Sequence, residues 1–135
     1  MTPAQVEDLL YRRSGLLGVS GLSSDMRVLL ESSSPHAREA IELFCYRAAR
    51  EIGSLAAALG GLDALVFTAG IGERAAAVRA AICDQSGWLG VVLDEAANRD
   101  HRAVISAPGS KVTVCVIPTD EEIVIARHTH ALLTQ

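Results

Sequence analysis

Aromatic side chains are scarce in this 135-residue sequence, at 4% of positions, although half of its residues are apolar. A core must therefore be assembled from Ala, Val, Leu and Ile. These small side chains let helices and strands approach closely but bury less area per residue. A basic surplus is missing too: the formal charge is −4 and the isoelectric point about 5.5, which argues against a nucleic-acid surface or a polybasic membrane patch. No apolar run approaches the roughly 20 residues needed to span a bilayer, and no signal-peptide pattern opens the sequence. Cys45, Cys83 and Cys115 lack C-x-x-C spacing and each sits in an apolar stretch, so reduced core thiols fit better than a zinc site or a disulfide frame. Internal repeats, low-complexity tracts and an interdomain linker are absent, and the length suits one domain. The expected location is cytoplasmic.

What is present reads as α/β. Thr2, Pro3 and Gln5 have capping-box spacing with proline in the first turn, which opens a helix over "TPAQVEDLLYRR". "SGLLGVSGLSSDMR" carries three glycines in seven positions and predicts a turn-rich connection, followed by a short helix around Met26 to Glu31. Pro35, behind a serine cluster, suits the start of the longest helix. Within it Ala37, Ala40, Ile41, Phe44, Cys45, Ala48, Ile52, Leu55, Ala56 and Leu59 recur at the spacing of one buried face. Gly60 and Gly61 end it.

"LDALVFT" is apolar without alternation and predicts a strand buried on both faces. A helix from Arg74 to Gln85 closes near Gly87, and a short one starts at about Asp94. "AVIS" and "VTVCVIP" flank "APGSK" and predict two strands joined by a turn. Thr119 and Glu122 have capping-box spacing at the head of the last helix. Alternating helices and strands imply parallel pairing. Two strong strands and two weak ones nevertheless fall short of the about four to six that stable sheets carry. Either partners complete the sheet, or the chain is part of a larger fold.

Chemistry points to "LVFTAGIGERAAAV", residues 65 to 78. Backbone N–H groups at a helix N-terminus attract anions, and glycines there let a ring or phosphate approach the backbone without meeting a Cβ. Tight packing of strand against helix explains the same glycines. One candidate is a dinucleotide turn: "GIGERA" satisfies G-x-G-x-x-A, and Asp94 follows about 20 residues on, as a ribose contact requires. A second mononucleotide half is missing. His128 and His130 are two apart and face different directions on a helix. His36 and His101 suit solvated or capping roles, and "DEAANRDHR" suits a solvated helix face.

A second candidate uses more of the sequence. "LDALVFTAGIGERAAAVRAAI" resembles the adenosine-binding segment of the acetate kinase family, "SGLLGVSGLSSDMR" its S-G-L-L-G-x-S-G-x-S-S-D-x-R segment, and "VIPTDEEIVIARHT" its C-terminal I-P-T-[ND]-E-E segment. The three occur in the family's order, and the similarity runs from about Leu9 to Leu133. The resemblance implies an ATP-dependent phosphotransferase for a short-chain carboxylate such as acetate, propionate or butyrate. It also implies an incomplete ribonuclease-H-like domain of the actin-like ATPase superfamily, a few-stranded sheet flanked by helices.

Carried over by position, the resemblance assigns Asp25, Met26 and Arg27 to the adenosine pocket, Gly70, Ile71 and Gly72 to the turn under the adenine, and Val78 to an apolar wall. Glu121 matches a magnesium-associated glutamate, although Asp120, Glu121 and Glu122 also suit a helix N-terminus electrostatically. Ala69 replaces a glycine, a mild change if that position needs no positive φ. Arg74 replaces an asparagine beside the adenine, where a longer cation can clash, stack or turn to solvent.

The family's phosphate-binding loop, carboxylate pocket, catalytic aspartate and histidine, and transition-state arginines belong to a preceding part of the protein. The expectation is therefore a single C-terminal nucleotide-binding portion over residues 1–135, without the N-terminal domain and without catalytic residues. It would use ATP or ADP and Mg2+, pair as a homodimer, and be inactive alone. A different class of reading is a non-catalytic, self-associating module using the helix from His36 to Leu59. A dinucleotide-binding domain ranks behind both.

Overall fold

The computed structural model describes residues 1–134 and, within that span, every side chain except that of Glu121. The order is α1 (Pro3–Arg12), α2 (Gly15–Ser20), α3 (Met26–Glu31), α4 (Pro35–Leu59), β1 (Ala64–Phe67), α5 (Ala69–Arg74), α6 (Ala76–Gln85), a 3-10 turn (Gly87–Leu89), α7 (Glu95–Arg99), β2 (Thr113–Val116) and α8 (Glu121–Leu133). The α/β expectation holds: β1 and β2 form a two-stranded parallel sheet flanked by helices, with Leu65 opposite Val114 and Phe67 opposite Val116. Thr113 N–H donates to the Asp63 carbonyl and Ile117 N–H to that of Phe67, each at 2.9 Å. The crossover between the two strands carries α5, α6 and α7.

Local signals explain most helix ends. Thr2 and Gln5 make both bonds of the capping box. Ser34 Oγ accepts from His36 N–H in front of Pro35, and Gly60 closes α4 in the left-handed region. Asp25 caps α3, and Asp94 caps α7 by accepting from both Ala96 and Ala97 N–H. Helix α4 packs on α2, α3 and α6. Its Cys45 joins Met26, Val78 and Ile82 in one core cluster, while a second lies over the sheet around Val91, Ile105, Val112 and Val114. Cys45, Cys83 and Cys115 are free thiols, the first two buried. No helix among the described residues is long and apolar enough to cross a membrane.

Several expectations need correction. Leu55 and Leu59, expected on the buried face of α4, are exposed in its last turns. The glycine-rich connection contains α2, which starts at Gly15, carries Gly18 within it and ends at Gly21 in the left-handed region. Strand β1 is covered on one face only: Leu65 and Phe67 turn inward while Val66 is exposed. The helix expected from Arg74 to Gln85 starts instead at Ala76, and the turn before it is itself a short helix, α5. The polar stretch "DEAANRDHR" buries Ala97 and Asn98. Of the two strands expected around "APGSK", the second is β2, whereas "AVIS" is not a strand and meets β2 through an isolated Val104–Cys115 bridge and the Ile105 N–H bond to the Val114 carbonyl.

Gly90 closes the 3-10 turn at φ 93°, and a Cβ there would stand 2.9 Å from the Lys111 Cβ. Its carbonyl accepts from Lys111 N–H at 2.9 Å, so the two segments cannot move apart freely. Gly90→Ala is expected to destabilise the fold by about 2 kcal/mol or more, the sum of left-handed strain and overpacking. Urea unfolding of the two proteins measures it.

Candidate functional site

Strand β1 ends at Phe67, Thr68 stays extended, and the chain then turns at once into α5. The turn has a conformational cost: Ala69 takes φ 58°, in the left-handed region, where an L-residue loses about 1–2 kcal/mol. The substitution of alanine for glycine at this position is therefore not mild. Gly72 is required by packing, since a Cβ there would lie 3.2 Å from the Phe67 carbonyl carbon. Gly70 is different. A Cβ on it would meet nothing within 4 Å, so its bareness serves the open space beside it.

That space is a groove of about 570 Å3 whose walls include Asp25, Met26, Arg27, Gly70, Ile71 and Arg74. Two segments more than forty residues apart meet here, both singled out from the sequence. Pockets of this size suit a small organic ligand. Met26 is almost fully buried and joins the wall to the core; Val78 lies wholly in that core, 2% exposed, behind the groove. Asp25 uses one oxygen to accept from Arg27 N–H at 2.8 Å and the other to pair with the Arg27 guanidinium at 3.2 Å. A carboxylate has about four acceptor positions, so capacity remains for a hydroxyl donor. Arg74 is exposed along the groove edge.

Glu73, next in the turn, reaches across the fold. Its Oε1 accepts from Thr119 N–H at 2.9 Å and from the Thr119 hydroxyl at 3.0 Å. The Thr119 amide above all, then its hydroxyl and the Arg74 charge, hold the Glu73 carboxyl below its ordinary range. Thr119 is thus not the cap of α8; Asp120 is, accepting from Ile123 N–H at 2.9 Å. The side chain of Glu121, the expected magnesium residue, lies outside the described residues. No three His, Cys, Asp or Glu side chains among the described residues are grouped to hold a metal.

Behind the turn lies a buried polar group that the sequence reading passed over. Arg79 is 0% exposed. Its Nη1 donates to the carbonyls of Gly72 and Glu73 at 2.9 Å each, Nε donates to Asn98 Oδ1 and Nη2 to the Asn98 carbonyl, both at 2.8 Å. Asn98 Nδ2 donates to the Ala76 carbonyl. His101 places Nδ1 2.9 Å from the Glu73 carbonyl oxygen. The available signal was a charged residue at a core position: Ala75, Val78, Arg79, Ile82 and Cys83 form the buried face of this segment. Asp94, the ribose residue of the dinucleotide alternative, is engaged in capping α7.

Solved structures similar to this one have the actin-like ATPase fold. Porphyromonas gingivalis acetate kinase superposes with a TM-score of 0.88 at 41% identity, covering 98% of this chain and 35% of that one. A propionate kinase from Francisella tularensis superposes at 0.87 with 35% identity, covering 94% and 33%. Among curated relatives, an acetate kinase of Rhodopseudomonas palustris is 64% identical over 134 residues, and one of Nitrobacter hamburgensis 54% over 133; each alignment takes in 98% of this chain. The model of the Acetokinase family matches residues 1–127, and the chain belongs to that family. It spans about a third of the length of the curated relatives it matches, 34% and 33% for these two.

Ala69→Gly is expected to stabilise the chain by about 1 kcal/mol, relief of strain exceeding the entropy that glycine adds to the unfolded state; thermal unfolding reads it. Because the Glu73 pKa is lowered on folding from the usual 4.5, its contribution is complete above that value and is lost as pH falls through the folded pKa. A carboxyl NMR titration should find Glu73 below 4.5, and Thr119→Val should raise it part of the way back.

Proposed function

We propose that this chain is the C-terminal, nucleotide-binding portion of an acetate kinase. The complete enzyme would transfer phosphate between ATP and acetate, or the related propionate or butyrate, with Mg2+. One observation carries the reading: the separated "SSDMR" and "AGIGER" segments wall a single groove that no packing need at Gly70 explains. In this reading adenine lies on the bare backbone of Gly70 and Ile71. Asp25 accepts from a ribose hydroxyl, and Arg27 and Arg74 supply cations at the groove edge. Gly72 and Val78 support the turn from behind, with Met26 as the joint between wall and core.

The donors fit a nucleoside better than they fit phosphoryl transfer. That reaction needs in-line alignment and neutralised charge on the moving group, and no described residue is arranged to orient an acyl substrate. The magnesium role of Glu121 rests on the family pattern alone, and cytoplasmic location is likewise part of the proposal. So is a homodimer, supported by exposed Leu43, Tyr46, Leu55 and Leu59 along α4. The same exposed side chains favour a self-associating module as the second reading, and light scattering of a dimer without nucleotide affinity would support it.

Calorimetric titration of the purified chain with ADP is expected to saturate, while NADH gives no signal and no acetyl phosphate forms from ATP and acetate. Gly70→Val should keep the fold, because the added Cβ meets no atom within 4 Å, but weaken ADP by about tenfold or more, roughly 1.4 kcal/mol. Absent ADP binding, or binding indifferent to Gly70→Val, overturns the reading.

A further inference from the structure

Helix α5 is six residues long, too short to hold itself, and it begins on the strained Ala69. Whatever fixes it must act from its far end. There the carbonyls of Gly72 and Glu73, which so short a helix leaves unpaired, both accept from the Arg79 guanidinium. The Asn98 carbonyl, in the last turn of α7, accepts from the same group. The negative ends of two short helices thus converge on one buried cation. The rigid fork of a guanidinium sets the direction of each bond, which an ammonium cannot do. His101, itself at φ 52°, closes the outer side at the Glu73 carbonyl. The Glu73 carboxylate continues the chain of bonds to Thr119.

We propose that Arg79, assisted by Asn98 and His101, is the positioning residue of the nucleotide turn. It touches no ligand. It sets where the backbone of Gly70 to Arg74 stands in the groove, and through Glu73 it ties that backbone to the segment before α8. This role rests on the nucleotide reading of the groove. A base held on backbone atoms is sensitive to where they lie, and displacements of about 1 Å in a positioned site have large effects.

The test measures ADP affinity by calorimetry for the wild-type chain, Arg79→Lys, His101→Asn and the remote core variant Val112→Ala. Each is titrated at a temperature where circular dichroism reports it folded. Arg79→Lys keeps the charge but loses the fork, and is expected to weaken ADP about tenfold while amide exchange at Gly70 to Arg74 accelerates. Val112→Ala should lower the melting temperature and leave ADP affinity unchanged, which separates positioning from general loss of stability. Wild-type affinity in Arg79→Lys overturns the role. If that variant does not fold, His101→Asn decides, because its site is exposed and asparagine tolerates the left-handed region. About threefold weaker binding supports the role, and unchanged binding overturns it. A wild-type chain that binds no ADP overturns the nucleotide reading and this role together, whereas wild-type binding unaltered in the variants overturns this role alone.

Discussion

The buried guanidinium of Arg79 is the constraint on which the crossover between the two strands depends. A cation removed from water costs several kcal/mol unless its donors are satisfied. Here the satisfaction comes from carbonyl groups, one side-chain amide and the His101 Nδ1 at 3.3 Å from Nη2, with no carboxylate among the bonds described. Those acceptors exist only if α5 and α7 both end beside α6. Burial pulls the Arg79 pKa below its ordinary value, but arginine remains charged at neutral pH. The converging helix ends therefore meet a permanent charge. The nearby Cys83 thiol, pushed up to about 11 by burial, stays neutral and adds nothing to the balance of charge.

From that centre the fold distributes work outward in two directions. Inward, α6 continues into the core through Val78 and Ile82, which join Met26 of α3 and Cys45 of α4. Outward, the held carbonyls fix the turn whose open face carries Gly70. The strain at Ala69 fits this arrangement, since sparsely populated backbone persists only where its surroundings over-determine it. Gly72 against Phe67 on one side and Arg79 on the other supply that over-determination. Glu73 extends it further. Its bonds to Thr119 span 46 positions of sequence and join the motif that follows β1 to the one that follows β2.

Legibility in the sequence followed the range of the forces involved. Helix α4, the Thr2–Gln5 capping box and the Asp94 start of α7 were readable because their causes lie within a few residues. Fold class was readable from the alternation of elements, and the groove residues from the resemblance to the acetate kinase family. The single covered face of β1 was not, because an unalternating apolar run is silent about which neighbours arrive. Thr119 had the right spacing to cap α8, yet a carboxylate far away in sequence took both its amide and its hydroxyl. Arg79 reads as surface by its charge, and only its place among Ala75, Val78, Ile82 and Cys83 marks it as core. Positive φ at Ala69 was invisible because alanine rarely adopts it.

The division between holding a nucleotide and moving its phosphate is a division of residue types. Holding a base needs a flat backbone, an apolar wall and one or two hydroxyl acceptors, all of which can be presented by elements that pack rigidly. Moving a phosphoryl group needs mobile positive charge gathered around three oxygens and an acceptor held in line. In this chain the buried cation is spent on structure, and Arg27 is already paired with Asp25. Of the arginines at the groove, Arg74 alone is exposed there without a described ion pair. Under the proposed reading, the rigidity that suits the turn to seat a base also commits its buried cation to holding the backbone in place.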